Sequence, residues 1–366
     1  MSLTDSNKIK IFIASFSSWF LYILILFIFI ELSAGIALKI YNYTQRGASD
    51  FSLISPDVRD ELTTVQKNRT LNLYRWYNLH PNFNGDFVIT DSSGFRIDPN
   101  SITDDEIIGM FGGSTTFSSF TNQQDSIPNQ LSDLIPDKQV LNFGIGGYSS
   151  GAEIMTFIEA LRFYPGIKYA IFYDGINELG RAFDKQKSNG LVNSYNLIGE
   201  PYFEGVRLAL KNNSKRFSID NSNIYYLYKH FFNRIFSGNK IFNREKFLKD
   251  IADLYFENVK VINAICIEYR VKCIFTWQPS IYSVADKSLS EEERIISNET
   301  PRSDYVHLTK IVLSDQRSKI FNLIDLTKVF KDKLPSERYF YDWAHINSEG
   351  NYLVAKILAK YFNKQP

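Results

Sequence analysis

The pattern of apolar and polar positions divides the chain into three stretches of different character. From Ile11 to Ile30, twenty consecutive residues carry no charge and nearly all are apolar. From about residue 41 to 105, polar and aromatic residues mix without a sustained period, as in His80-Pro81-Asn82-Phe83-Asn84-Gly85. Turn residues dominate there, with short strand candidates such as Asp86–Thr90. From about residue 106 short apolar runs alternate with longer helical patterns. The runs Glu106–Phe111, Gln139–Ile145, Tyr169–Tyr173, Val271–Trp277 and Asn322–Leu326 carry β-branched and aromatic residues and read as strands buried on both faces. Ile127–Leu134, Ala152–Phe163, Arg244–Tyr269 and Tyr305–Lys319 read as helices between them, and Ser348–Phe362 closes the chain. Strands alternating with helices predict an α/β fold, a three-layer sandwich around a parallel sheet.

The rhythm breaks over roughly 180–243, a stretch rich in Asn, Ser and aromatics. A connection that long inside a compact domain is expected to be a cap over a pocket or a solvated insertion. The organisation expected is an N-terminal segment 1–40, an approach segment 41–105, and an α/β domain 106–366 carrying that insertion.

At about 1.5 Å per residue, a helix over Ile11–Ile30 would span about 30 Å, the thickness of a bilayer core. A cleavable signal peptide has a shorter apolar core, although Leu32-Ser33-Ala34-Gly35 could pass for a cleavage site. A buried core helix is rarely apolar on every face. The expectation is an uncleaved single-pass membrane anchor. Lys8 and Lys10 favour a cytoplasmic N-terminus over Lys39 and Arg46, which puts the bulk of the chain outside the cytoplasm.

Charge adds little: 41 Lys plus Arg against 40 Asp plus Glu leave a net +1, with no pull toward nucleic acid. Cys266 and Cys273 are too few for a Cys-rich zinc site, and neither has a histidine at ligand spacing. They are expected as two buried thiols, with a disulfide between a helix and the following strand as the alternative. No metal or cofactor is expected.

The candidate chemistry lies at strand ends, where ligands bind in parallel sheets. Ser114 sits in Phe111-Gly112-Gly113-Ser114-Thr115-Thr116, and Asp342-Trp343-Ala344-His345 precedes the last helix. Serine is a weak nucleophile unless a base takes its proton, and the base works best when a third group fixes its tautomer. Other motifs fail on spacing. The Ser114 turn lacks the second glycine of a G-x-S-x-G elbow and the lysine of a phosphate loop. In Gly144-Ile145-Gly146-Gly147-Tyr148-Ser149, Ser149 stands where a dinucleotide fingerprint has glycine. Taken singly, Ser114 could be a turn residue, Asp342 a surface charge and His345 a helix cap.

Together, four blocks in order resemble the SGNH hydrolases, the GDSL-like esterases and lipases: Phe111-Gly112-Gly113-Ser114, Asn142-Phe143-Gly144-Ile145-Gly146-Gly147, Asp174-Gly175-Ile176-Asn177-Glu178 and Asp342-Trp343-Ala344-His345. The resemblance implies a flavodoxin-like SGNH fold. It also implies Ser114 as nucleophile, His345 as general base and Asp342 as its orienting carboxylate. The Ser114 and Gly147 N–H groups and the Asn177 amide would form an oxyanion hole. Two positions depart from the family pattern: Gly113 replaces an acidic residue and Glu178 replaces Asp. His80–Arg96 also resembles the preamble of membrane-anchored, envelope-associated members linked with acyl groups on surface polysaccharides. The activity implied is hydrolysis of O-acyl esters, O-acetyl on a cell-envelope glycan among them. An O-acyltransferase using the same triad and a non-catalytic envelope scaffold are the alternatives.

Overall fold

The computed structural model describes residues 54–72, 77–102, 106–180, 243–299 and 303–362, together with Trp19, residues 22–37 and Ala182. Residues 11–18, 20 and 21 of the expected anchor lie outside the described residues. So do Lys8, Lys10, Lys39 and Arg46, and residues 183–242 of the expected insertion. The chain divides into two units, Met1–Arg46 with Ser214–Phe242, and Gly47–Asn213 with Asn243–Pro366. In the first unit, residues 22–37 are helical and Tyr22 to Ile30 are exposed throughout. Among the described residues no helix is long and apolar enough to cross a membrane.

The second unit begins with helix α1 (Pro56–Lys67) and an antiparallel pair, β1 (Thr70–Leu71) with β2 (Tyr77–Asn78). Helix α1 arises where the sequence suggested turns: Pro56 starts it, and Val58, Leu62 and Val65 are buried along one face. The expected strand Asp86–Thr90 is absent, and only a bridge between Asn84 and Ile89 remains. The reason is Glu61 of α1, whose carboxylate takes the N–H groups of Asp86, Phe87 and Val88 at 2.9–3.0 Å. Donors committed to a side chain cannot join a ladder.

Five parallel strands follow: β3 (Glu106–Gly112), β4 (Lys138–Asn142), β5 (Ile167–Asp174), β6 (Lys272–Trp277) and β7 (Ile324–Asp325). Their order, β4-β3-β5-β6-β7, is that of a doubly wound sheet whose direction reverses between β3 and β5. The helices are α2 (Ser114–Phe117), α3 (Ile127–Leu134), α4 (Ser150–Phe163), α5 (176–180), α6 (Arg244–Tyr269), α7 (Glu291–Glu299), α8 (Ser303–Ser314), α9 (Gln316–Ile320) and α10 (Ser348–Phe362).

Side chains alternate across the sheet as the pleat requires. Phe111, Ala170, Phe172 and Phe275 face a core shared with α1, α4, α6 and α8. Ile108, Met110, Ile171 and Tyr173 face a second core shared with α3 and α10. These are the three layers expected. On the first face Phe143, Phe111, Phe172 and Phe275 stack in series at 5.0–5.5 Å between ring centroids. A Cβ on Gly109 would come within 2.8 Å of the Phe111 ring, so glycine makes room for the stack.

Two further expectations are corrected. Tyr305–Lys319 is not one helix, because the Asp315 carboxylate accepts from Arg317 N at 2.8 Å and caps a new helix, α9. Cys266 and Cys273 are not free thiols but a disulfide. Helix α6 ends at Arg270 in the left-handed conformation (φ 56°), and that turn brings β6 back so the two Cα atoms lie 6.1 Å apart.

Candidate active site

Ser114, Gly147 and Asn177 follow β3, β4 and β5, so the parallel register places their loops at one end of the sheet, astride the reversal between β3 and β5. Ser114 is the first residue of α2, and the glycines before it have steric reasons. A Cβ on Gly112 would collide with Thr116 and approach the Tyr173 carbonyl oxygen to 2.9 Å. One on Gly113 would overlap the Asn177 amide nitrogen and stand 3.0 Å from the Tyr148 carbonyl oxygen. A side chain at 113 would therefore displace the Asn177 amide from where it now lies.

The Asn177 amide donates to the Tyr148 carbonyl at 2.6 Å, and Gly147 itself takes φ 83°, a left-handed value suited to glycine. Glu178 ties the same two loops together, accepting from the N–H and hydroxyl of Ser150 at 2.7 and 3.1 Å. Glu178 lies beside Glu153 and Asp174, all three buried. Burial pushes the Glu178 carboxyl up to about 7, opposed by the two Ser150 hydrogen bonds. Burial and the neighbouring carboxylates likewise raise Glu153 and Asp174 well above the usual range. Among the described residues no group of three His, Cys, Asp or Glu is placed to hold a metal ion.

His345 reaches the site from the loop ahead of α10. Its Nδ1 lies 2.7 Å from Asp342 Oδ2 and its Nε2 2.8 Å from Ser114 Oγ. Asp342 Oδ1 also accepts the N–H groups of Ala344 and His345, at 2.8 and 2.7 Å. Burial alone would raise Asp342, but the facing imidazole and these hydrogen bonds outweigh it and hold the carboxyl below the ordinary range. An ionised carboxylate can only accept, so Nδ1 carries the imidazole proton and Nε2 is the acceptor for the Ser114 hydroxyl. The Phe120 ring meets the imidazole edge-on at 4.6 Å.

Three supports lay outside the sequence reading. The Glu293 carboxylate accepts the N–H groups of Tyr339 and Phe340 at 2.8 and 3.1 Å, just ahead of Asp342. It also pairs with Lys333 at 2.8 Å, both side chains fully buried. Ser290 and Glu293 form a capping box on α7, the one local signal for this residue. The Arg96 guanidinium donates to the carbonyls of Phe117, Ser118 and Thr121 at 2.7–2.8 Å, fixing the chain that leaves α2. Burial lowers Arg96 to about 9, against the pull of Asp125 and Glu61.

No family profile and no curated protein matches the sequence. The fold is similar to solved structures at low identity. A catalytic mutant of the acetylxylan esterase Axe2 from Geobacillus stearothermophilus aligns at 12% identity over 71% of this chain and 95% of that one, with a TM-score of 0.39. The esterase EstA from Pseudoalteromonas sp. aligns at 14% over 71% and 97%, with a TM-score of 0.36. A GDSL-like lipase from Bacteroides thetaiotaomicron VPI-5482 aligns at 11% over 71% and 88%, also at 0.36. At such identities and scores no functional property passes from these proteins to this chain.

Proposed function

We propose that the chain is a serine esterase that hydrolyses O-acyl esters, with O-acetyl groups on a cell-envelope glycan as its substrate class. The observation that carries this reading is the unbroken chain Asp342–His345–Ser114, with links of 2.7 and 2.8 Å. Ser114 Oγ attacks the ester carbonyl carbon while its proton passes to His345 Nε2, and Asp342 stabilises the imidazolium that forms. The carbonyl oxygen becomes an oxyanion held by the N–H groups of Ser114 and Gly147 and the Asn177 amide. Collapse breaks the ester C–O bond, and the Nε2 proton leaves with the alcohol. Water then attacks the acyl-Ser114 ester, with His345 again as base, and releases the acid. A membrane-anchored, extracytoplasmic placement is part of the proposal. The exposed apolar side chains from Tyr22 to Ile30 support an anchor, and the Cys266–Cys273 disulfide suits an oxidising compartment.

Acetate release from an acetylated glycan tests the reading. Ser114→Ala is expected to lower kcat by at least about 10⁴ with the fold retained. Undiminished release by the folded variant would remove Ser114 from the chemistry. Adding a sugar acceptor separates hydrolysis from transfer, since a transferase would move acetyl to the sugar and release less free acid.

A further inference from the structure

Arg69 stands immediately before β1, outside the four sequence blocks, and its guanidinium lies near the loop that borders the nucleophile. The Arg69 guanidinium carbon lies 4.4 Å from the centroid of the Tyr77 ring. Tyr77 is fixed to the loop carrying Gly146 and Tyr148 by two side-chain contacts and one through its backbone. The Tyr77 hydroxyl donates to the Gly146 carbonyl at 2.5 Å, and the Tyr77 carbonyl accepts from the Tyr148 hydroxyl at 2.9 Å. The Tyr77 and Tyr148 rings also meet edge-on at 5.4 Å. A Cβ placed on Gly146 would stand 3.9 Å from Arg69 Nη2 and 3.9 Å from Ser114 Cβ. Arg69 Nη2 and Ser114 Cβ thus both border the vacant Cβ position of Gly146 and lie no more than twice that distance apart. Unlike Gly147, Gly146 has no positive φ that would require glycine. A side chain there would touch both Arg69 and Ser114.

The bonding state of Arg69, shared with the exposed Arg59, Arg162 and Arg270, differs from that of the arginines tied into the structure. Arg96, Arg244 and Arg317 each donate to carbonyls or carboxylates. Arg69 is exposed and, among the described residues, makes no hydrogen bond or ion pair. Stacking on an aromatic face holds the guanidinium plane while leaving its N–H edge free. A cation so held, beside the position assigned to the ester, is suited to a planar or tetrahedral oxyanion in bidentate contact.

We propose that Arg69, carried on Tyr77, is an anion subsite at the mouth of the active site, binding a carboxylate or phosphate on the same glycan that bears the scissile ester. The proposal rests on Ser114 being the nucleophile. It makes the substrate an anionic polymer rather than a neutral one, and it gives the approach segment a direct part in substrate choice.

Binding to the Ser114→Ala protein tests the subsite without any turnover. Calorimetry with oligogalacturonate, with glucose 6-phosphate and with neutral xylo-oligosaccharide should show preference for an anion. The better of the first two identifies carboxylate or phosphate as the group read. Adding Arg69→Ala should weaken that anion about 10- to 100-fold, the range of a hydrogen bond to a charged group. Arg69→Lys, which keeps the charge but loses the fork, should fall between. In the otherwise native enzyme, kcat/KM for acetylated polygalacturonate should exceed that for its methyl-esterified form, and Arg69→Ala should bring the ratio toward one. Equal affinity for anionic and neutral ligands, or an unchanged anion affinity in Arg69→Ala, would overturn the subsite. Arg69-dependent anion binding with no labelling of Ser114 by a fluorophosphonate would uphold the subsite and remove the nucleophile instead.

Discussion

The Ser114 turn and the Asp342–His345 turn meet through a single hydrogen bond, and they are held in place by different means. The Ser114 turn is a product of the sheet. It follows β3 directly, its glycines fit against Thr116, Tyr173 and Asn177, and its partner loops leave neighbouring strands. The Asp342–His345 turn comes 17 residues after Asp325, outside the parallel sheet. It is closed by its own short pairing: Tyr341 N–H donates to the His345 carbonyl at 2.9 Å and Asn347 N–H to the Tyr339 carbonyl at 2.7 Å. Its approach is also pinned by Glu293 of α7, paired in a buried ion pair with Lys333 of the approach itself. One half of the site is positioned by the sheet, the other by a short backbone pairing braced by buried charge. The two halves should therefore fail in different ways.

The largest effect is expected at the junction. Asp342→Asn would place an amide donor against Nδ1, so the imidazole would carry its proton on Nε2 and could not accept from Ser114. A loss of about 10⁴ in kcat with little change in melting temperature is expected from steady-state kinetics and calorimetry. Next, Lys333→Met would leave Glu293 charged and buried without its cation. Such a change costs about 3–5 kcal/mol, so thermal unfolding should show a large drop. Adding Glu293→Gln should recover part of it, because the uncompensated charge is gone. If Lys333→Met melted like the native protein, the Asp342–His345 turn would not depend on buried charge.

On the sheet-built side the penalty should be kinetic. Asn177→Ala should lower kcat about 10²-fold while KM changes little, because in the proposed mechanism the amide bonds an oxyanion formed only in the transition state. Near-normal turnover would remove Asn177 from the site. The smallest effect concerns Glu178. Its folded value of about 7 is raised from 4.5, so its contribution to stability is fully present below about 4.5 and is lost as pH rises through 7. Glu178→Gln should therefore gain stability relative to the native protein at pH 8 and much less at pH 4.5. The difference should be on the order of 1–3 kcal/mol. Equal differences at both pH values would place the titrating charge elsewhere.

The same contrast governs what could be read from the sequence. Ile127–Leu134, Arg244–Tyr269 and Ser348–Phe362 were legible to the residue. For the first two the caps are local: Ser126 and Asn243 each accept an N–H three residues on. Ser114, Gly147 and Asn177 were legible as three strand-end positions because a parallel sheet places such loops on one edge. The grip of Glu61 on residues 86–88, the Arg96 clasp and the Glu293–Lys333 pair were not. Each joins a side chain to groups distant in sequence, and such contacts leave no period in the pattern of apolar positions. The disulfide needed the fold of the turn at Arg270 before its two cysteines could be seen as neighbours.

The central claim is that Ser114 is made nucleophilic by His345. Labelling the intact protein with a fluorophosphonate and mapping the modified peptide measures that directly. The native protein should be modified at Ser114, and His345→Ala should slow labelling by several orders of magnitude without unfolding the protein. Modification at another residue, or labelling of Ser114 at an unchanged rate in His345→Ala, would contradict the account.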